Sequence, residues 1–229
     1  MAVGYLLHSR PYRESSSLQV FFTDSDGRVD VMSRLTRRRG KPTMAAGSTP
    51  FTLCELSWRG TRDLKALQYC EAAAPSHVLS GRYLFCGLYV NELLYRLLPK
   101  QVPEPALFPV YAGVLAALAE GQNQESCLRQ FEMQLLTCLG YGLVLDRDVQ
   151  GLRVDADACY QYWPEHGLVL LDAAEEQAVG VTAKGCVFLA IHNLCFEDDI
   201  TKRTAKQLMR AALAPLLGSR PLHSRSLFR

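Results

Sequence analysis

The stretch Val29–Lys41 reads VDVMSRLTRRRGK and predicts a β-strand that runs directly into a strongly basic loop. Val29 and Val31 alternate with Asp30 and Met32, which is the period-two pattern of a half-buried strand. The five cations that follow are Arg34, Arg37, Arg38, Arg39 and Lys41. Such a loop suits a nucleic-acid backbone, which carries about one charge per 1.7 Å of duplex. A solvated basic loop without a partner would have the same composition.

Charge is segregated along the chain. The 229 residues carry a net charge of only +2, yet residues 1–70 hold eleven Lys/Arg against six Asp/Glu. Residues 71–201 hold seven against seventeen, and residues 202–229 hold seven against none. This segregation favours an anionic partner. The N-terminus has too short an apolar run for a signal peptide, and no membrane-length apolar stretch follows, so we expect a cytoplasmic protein.

Five strand-like runs lie within the first 70 residues. They are Gly4–Ser9, Leu18–Thr23, Arg28–Ser33, Phe51–Trp58 and Leu64–Cys70. The segment Asp24–Gly27, between the second and third runs, has the composition of a hairpin turn. Five short strands with unequal loops predict a Greek-key barrel of the OB type over residues 1–76, with an SH3-like barrel as the main alternative.

The loops of the predicted barrel are basic, which predicts a nucleic-acid-binding face. The candidate DNA-binding residues are Arg10, Arg13, Arg34, Arg37, Arg38, Arg39, Lys41, Arg59, Arg62 and Lys65. Single strands also stack on aromatic side chains, for which Tyr12, Phe51 and Trp58 are candidates. Packing in the barrel core is the favoured position for Trp58, whereas Tyr12 fits either place.

From residue 77 onward the apolar residues recur at helical spacing. The predicted helices are Val78–Leu98, Ala106–Glu120, Glu125–Leu139, Thr182–Phe196 and Asp198–Leu217. Residues 141–171 interrupt this pattern and predict a hairpin or an irregular loop. The fold class is therefore α+β, with an OB-fold domain over 1–76 and a helical domain over 77–229.

Motifs of catalysis are absent from the sequence. It contains no Walker loop, GxGxxG, GxSxG or HExxH pattern, and its five histidines are isolated. The eight cysteines include no CxxC pair and lie mostly in apolar surroundings, which predicts buried, reduced thiols. We therefore expect a protein that is not an enzyme and needs no cofactor.

Four segments resemble the RecO family of bacterial recombination mediators and single-strand annealing proteins. They are LLHSRPYRESSSLQVFFTDSDGRV, GLYVNELLYRLL, LRQFEMQLLTCLGYGL and RPLHSRSLFR, in the family's order. The resemblance implies an N-terminal OB-fold, a helical C-terminal domain and binding of single- and double-stranded DNA. It also implies work with RecR to load RecA onto DNA coated by single-strand-binding protein (SSB). Two other functions stay open: a general RNA-binding barrel, and a scaffold that binds only proteins.

The resemblance further implies that the acidic, Phe-ended tail of SSB docks on the helical domain. Such a tail needs an apolar pocket with cations at its edge, which we expect on the helix Glu125–Leu139 and the basic last helix. The candidate residues are Leu128, Arg129, Phe131, Leu135, Lys202, Arg203, Lys206 and Arg210. Arg129 is expected on the surface, while the three apolar residues would equally suit an ordinary core.

The sequence departs from many relatives at a four-cysteine zinc site that follows the segment GYG. Here the chain reads Asp146-Arg147-Asp148 and keeps only Cys159. A closed tetrahedral site needs four ligands, so we expect no structural zinc. We also expect the protein to be a monomer when alone.

Overall fold

The computed structural model describes residues 1–12, 14, 16–34, 49–171 and 180–228, and the backbone alone of 36–38 and 41–43. The strands of the N-terminal region are β1 (Ala2–Tyr12), β2 (Ser16–Thr23), β3 (Gly27–Arg34), β4 (Thr36–Arg38), β5 (Lys41–Thr43), β6 (Leu53–Arg59) and β7 (Leu64–Ala72). The next elements are α1 (Gly81–Leu97), α2 (Leu107–Ala119) and α3 (Gln124–Cys138). The last ones are β8 (Cys159–Trp163), β9 (Gly167–Leu170), β10 (Val181–Lys184), α4 (Gly185–His192), α5 (Asp199–Leu217) and a 3₁₀ helix (His223–Phe228).

Five strands close into a barrel in the order β1-β2-β3-β7-β6. All neighbouring strands are antiparallel except β3 and β7, which run parallel. This is the predicted OB-fold, and the SH3-like alternative is wrong. The five predicted strands are confirmed, with ends that differ from the prediction by at most three residues. β4 and β5 pair separately as a two-stranded ladder that the sequence did not predict.

The barrel interior is filled by the inward-facing half of each alternating pattern. Val29 and Val31 of β3 are fully buried there, together with Phe21 and Leu56. Trp58 packs against this cluster, which confirms its predicted place in the core. Burial of each large apolar side chain stabilises the barrel by about 1.5–3 kcal/mol relative to exposure.

A buried asparagine on α1 joins this helix to the barrel. The β1 ladder has an irregularity between Leu6 and His8, and such a bulge leaves backbone groups without a ladder partner. Asn91 Nδ2 donates to the carbonyl oxygens of Leu6 and Leu7, at 3.3 Å each. Asn91 Oδ1 accepts from the hydroxyl of Tyr111 on α2 at 2.6 Å. One buried network therefore connects β1, α1 and α2.

An ionic cluster makes the second connection between β3 and the end of α1. Asp30 is only 8% exposed, although strand alternation predicts it on the outside of the barrel. Its carboxylate lies 3.2 Å from Arg28 Nε and 2.9 Å from Lys100 Nζ. Arg28 Nη1 also donates to the carbonyl of Tyr95 at 2.6 Å, near the C-terminus of α1 where the helix dipole favours a cation.

The chain divides into two compact units, the first made of Met1–Gln122 with Pro221–Arg229 and the second of Asn123–Arg220. In the first unit the 3₁₀ helix returns to α1. Glu92 accepts hydrogen bonds from the N–H groups of His223 and Ser224, at 2.8 Å each, and from the Ser224 hydroxyl at 2.6 Å. The predicted boundary at residue 76 marks the change from strands to helices and stays a prediction as a domain limit.

In the second unit, β8 and β9 form the hairpin that the sequence left open, and β10 adds a third strand beside β8. The predicted helix Thr182–Phe196 is wrong, because it begins as β10 and continues as the shorter α4. The switch occurs at Gly185, whose N–H donates to the Ala158 carbonyl at 2.8 Å. A Cβ atom there would lie 1.9 Å from the Asp155 carbonyl oxygen, so only glycine permits this close approach.

Two further expectations concern the whole chain. Cysteines 54, 70, 86 and 127 are buried as predicted, but Cys159, Cys186 and Cys195 are exposed. The prediction of buried thiols is therefore wrong for these three, which lie in or after short elements at the surface of the second unit. Within the described ranges, no helix has both the length and the apolar character that crossing a bilayer requires.

Candidate nucleic-acid interface

One row of outward-facing residues crosses all five strands of the barrel. The register pairs Arg10 with Leu18, Leu18 with Met32, Met32 with Ala66, and Ala66 with Arg59. Residues paired across neighbouring strands share one face of the sheet. We call these five residues the outer row. Its two arginines, Met32 and Ala66 are exposed and Leu18 is half-buried, so the row is an apolar strip with a cation at each end.

A second, shorter row lies beside the outer row, where β1 ends and β2 begins. The register pairs Tyr12 with Ser16 and Ser16 with Arg34. Tyr12 is 37% exposed, so of the three aromatic candidates it is the one with a ring at the surface of the barrel. Arg34 is exposed as well.

The outer row is open because the helices cover only the other half of the barrel surface. The next row consists of His8, Val20 and Asp30, and here Val20 is fully buried. The rings of His8 and Tyr95 lie 4.8 Å apart, which brings α1 against this row. Burial lowers the pKa of His8, and the charge of Arg10 lowers it further, so His8 is neutral at neutral pH.

The arginines of the open half are available for anions. Arg10, Arg34, Arg59 and Arg62 are exposed, and none forms an ion pair with any residue that the structure describes. Arg28 differs, because its guanidinium is held by Asp30 and by the end of α1. The open half therefore has cations whose charge is not neutralised within the described fold.

Half of the predicted DNA-binding set lies outside the described residues. Arg13 and Arg39 are not described, and for Arg37 and Arg38 in β4 and Lys41 in β5 only the backbone is. Contact of these five residues with DNA stays a prediction.

Two predicted surface residues are buried. Lys65 is only 9% exposed, because it belongs to β7 and pairs with the core residue Val31 on the inner side of the sheet. Phe51 is 5% exposed, and a Cβ atom on Gly87 of α1 would lie 2.9 Å from its ring. The expectation that Lys65 lies at the DNA-binding surface is therefore wrong, as is the expectation that Phe51 offers a ring for stacking there.

Sequence reasoning missed the apolar members of the outer row. The alternation around Val29 and Val31 indicates that Met32 faces outward, and this was the available signal. The alignment of Leu18, Met32 and Ala66 depends on register between strands that are far apart in sequence, and no local pattern contains it.

The apolar residues of the predicted tail site lie in the core of the second unit. Leu128, Phe131 and Leu135 are all buried on α3. Arg129 is 8% exposed and its Nη2 atom lies 2.6 Å from Glu132 Oε1, one helical turn along, so the expectation of a surface arginine is wrong. Arg129 Nε has no hydrogen-bond partner within the described part of the chain.

The cations of α5 are at the surface or close to it. Lys206 Nζ lies 3.6 Å from Glu125 of α3, and Lys202 Nζ lies 3.7 Å from Asp199. Arg203 and Arg210 are exposed and form no ion pair with any described residue. Because α3 packs against α5, the structure brings the predicted cations next to the predicted apolar helix.

Metal binding finds no support in the arrangement of side chains. Among the residues whose positions are described, His, Cys, Asp and Glu form no group of three or more that could hold an ion. The expectation that zinc is absent stays a prediction.

Comparison with known proteins covers almost the whole chain. Two family models match, Recombination protein O N terminal over residues 2–76 and Recombination protein O C terminal over residues 79–226. The chain is 44% identical over 224 residues to the DNA repair protein RecO of Pseudomonas paraeruginosa, covering 98% of this chain and 92% of that protein. It is 44% identical to the RecO of Stutzerimonas stutzeri, with the same coverage, and 40% identical to that of Haemophilus influenzae, over 98% and 94%.

Proposed function

The chain belongs to the RecO family of DNA repair proteins, and we propose that it binds DNA through the outer row of its barrel. By this binding it anneals complementary single strands and, together with RecR, helps load RecA onto SSB-coated DNA. It acts with the nucleoid in the cytoplasm, as a monomer when alone and without catalysis.

The outer row is the observation that carries this proposal. Arg10 and Arg59 are suited to phosphates, and the strip between them offers apolar surface to bases that have left the duplex. An OB-fold binds single strands on the face of its second and third strands, where Leu18 and Met32 lie.

Annealing follows from charge neutralisation. Two strands repel each other through their phosphates, and cations on the barrel lower this repulsion while the bases stay accessible. Base pairing then supplies the specificity, so the protein need not read sequence. No group of the protein has to form or break a covalent bond.

The test is replacement of both arginines of the outer row by glutamine. Arg10→Gln with Arg59→Gln should weaken binding to all single-stranded sequences alike. The slope of log affinity against log salt should flatten by about 0.7 for each phosphate that the variant no longer neutralises. Arg82→Gln is the matched control, since Arg82 is also exposed but lies at the start of α1. An unchanged slope in the double variant would move the binding site elsewhere.

The same titration distinguishes the other two functions. Equal or tighter binding to RNA of the same sequence would favour an RNA-binding barrel, because only RNA offers 2′-hydroxyl groups to the protein. Binding without salt dependence, or no binding, would favour a protein scaffold.

The basic loop is the second part of the proposed DNA-binding surface. Joint replacement of Arg37, Arg38 and Arg39 should also reduce the salt slope, by about 0.7–0.9 for each phosphate that is set free. If the reductions in salt slope from this variant and from the outer-row variant add up, one DNA molecule contacts both the loop and the outer row.

We also propose that the SSB tail binds where α3 packs against α5. Arg203 and Arg210 are exposed cations that can pair with the acidic residues of the tail. Arg203→Gln with Arg210→Gln should weaken binding of a tail peptide severalfold while leaving bare-DNA binding intact. A tail affinity equal to that of the parent would show that the site is elsewhere.

The protein works without a bound metal in this proposal. Elemental analysis of the purified protein should find zinc well below one atom per chain. Stoichiometric zinc would show that scattered cysteines and histidines assemble a site, and would contradict the proposal.

A further inference from the structure

The second unit contains a cleft of about 430 Å³ that no part of the proposed DNA or tail binding uses. Its walls come from the segment after α3, the β8–β9 turn and the end of α5. Tyr141, Val144, Tyr162 and Leu216 provide its apolar lining. Pockets that bind ligands typically have volumes of roughly 300–1,000 Å³, so the cleft is large enough for a peptide side chain and its neighbours.

One wall of the cleft offers unpaired backbone. Across the described ranges, the N–H groups of Gly142, Leu143 and Val144 donate no hydrogen bond, and their carbonyl groups accept none. Tyr141 and Val144 are 53% and 57% exposed, which is high for large side chains beside a cavity. Open backbone next to apolar side chains is the arrangement by which an extended peptide is bound as an added strand.

The charge of the cleft selects among peptides. Glu165 is the only aspartate, glutamate, lysine or arginine among the described residues that line it. This residue has a φ of 66°, a left-handed conformation that costs a non-glycine residue free energy. The carboxylate therefore stands at a turn position where glycine would be less strained. His166 lies beside this carboxylate in the lining. With one carboxylate and no lysine or arginine among the described lining residues, the cleft disfavours phosphates and acidic tails.

We propose that the cleft binds an extended segment of a partner protein in which apolar residues adjoin a lysine or arginine. The apolar side chains enter between Tyr141 and Leu216, and the cation pairs with Glu165. This proposal does not rest on DNA binding or on the tail site, because none of its residues belongs to either.

The experiment uses two synthetic peptides with the same apolar centre. One is acetyl-Lys-Val-Phe-Val-Lys-amide and the other is acetyl-Glu-Val-Phe-Val-Glu-amide. The chain has two tryptophans, so Trp58→Phe leaves Trp163 as the only one. Trp163 is 47% exposed and adjoins the lining residues Tyr162 and Pro164, so its fluorescence reports on the cleft. Calorimetry with the full chain gives the affinities.

Three variants and a control separate charge from folding. Glu165→Gln should lower the affinity for the basic peptide by roughly two- to fivefold, which is the contribution of an exposed ion pair. Glu165→Gly should lower this affinity equally without making the protein less stable, since glycine readily adopts the left-handed conformation of the turn. Val144→Arg should abolish its binding. Glu197→Gln, an exposed carboxylate outside the cleft, should leave it unchanged.

The expected result is saturable binding of the basic peptide with a change in Trp163 fluorescence, and much weaker binding of the acidic one. Three results with the peptides would overturn the proposal. They are equal binding of both peptides, no binding of either, or an affinity that Glu165→Gln does not alter. A parent dimer that Val144→Arg converts to a monomer would also overturn it, because the cleft would then bind a second copy of the chain.

Discussion

At the scale of single residues, the buried side-chain amide of Asn91 forms three hydrogen bonds. Asn91→Ala removes the partners of two backbone carbonyls and of the Tyr111 hydroxyl in a buried place. Unpaired buried polar groups are costly, so we expect a loss of about 2–4 kcal/mol in the free energy of unfolding, measured in urea. Tyr111→Phe removes one of these bonds and should cost about half as much. Equal stability of Asn91→Ala and parent would contradict this account.

Arg129 is a structural residue, because its guanidinium pairs with a fully buried carboxylate. Arg129→Ala leaves the fully buried Glu132 without its cation, and breaking a buried pair in this way costs about 3–5 kcal/mol. Denaturant unfolding should show this loss. Arg203→Ala, at an exposed position of α5, should stay within about 0.5 kcal/mol of the parent. If both variants are equally stable, the Arg129–Glu132 pair contributes nothing to the fold.

At the scale of elements, the turn between β2 and β3 depends on Gly27. Its φ is +64°, and a Cβ atom there would lie 1.8 Å from the carbonyl oxygen of Val102. Gly27→Ala should therefore cost well over 1 kcal/mol in unfolding free energy, because both the conformation and the close approach oppose a side chain. Gly113→Ala in α2 meets no atom and should stabilise the protein by about 0.5–1 kcal/mol. Thermal unfolding of the two variants gives opposite shifts if this is right.

The elements with strict periodicity could be predicted from the sequence, and the packing of one element on another could not. β3 follows from Val29 and Val31 alternating with polar neighbours, since one face of a strand must be buried. The burial of Asp30 depends on Lys100, which is far away along the chain, so no local pattern shows it. Arg129 was expected outside because arginines are rarely buried without a partner, and the sequence does not show that Glu132 is buried beside it.

The candidate site was predictable to the same extent. Arg10, Arg34, Arg59 and Arg62 were found from charge alone, and the structure exposes all four. Lys65 was predicted within the fifth strand, but it was expected at the DNA-binding surface because it follows a basic loop. Barrel closure instead pairs it with the core residue Val31. Short apolar runs are equally ambiguous, and the helix predicted over Thr182–Phe196 failed because its first residues belong to β10 and pair with β8.

At the scale of the whole molecule, we expect the attachment of the 3₁₀ helix to α1 to depend on pH. Burial alone would raise the pKa of Glu92, but hydrogen bonds from Ser224 and His223 outweigh it and hold the pKa below the ordinary value of 4.5. A carboxyl with a depressed pKa stabilises the fold above its unfolded pKa and loses this contribution as pH falls through the folded value. Glu92→Gln should therefore be less stable than the parent at neutral pH.

The difference between parent and Glu92→Gln should shrink as urea unfolding is repeated from about pH 7 down to about pH 3. Glu104→Gln is the control, because the Glu104 side chain forms no hydrogen bond with any described residue. A difference that is independent of pH would show that the carboxylate charge has no part in the attachment.

The return of residues 221–228 to the first unit has a consequence for synthesis on the ribosome. The unit that contains the N-terminus can be completed only after the second unit, Asn123–Arg220, has emerged. Between these events Glu92 lacks its hydrogen bonds from the amides of His223 and Ser224. The surface of α1 that the 3₁₀ helix will cover then stays exposed. The unit that is begun first is thus completed last, and a nascent chain stalled before residue 221 would expose this surface of α1 to chaperones and proteases.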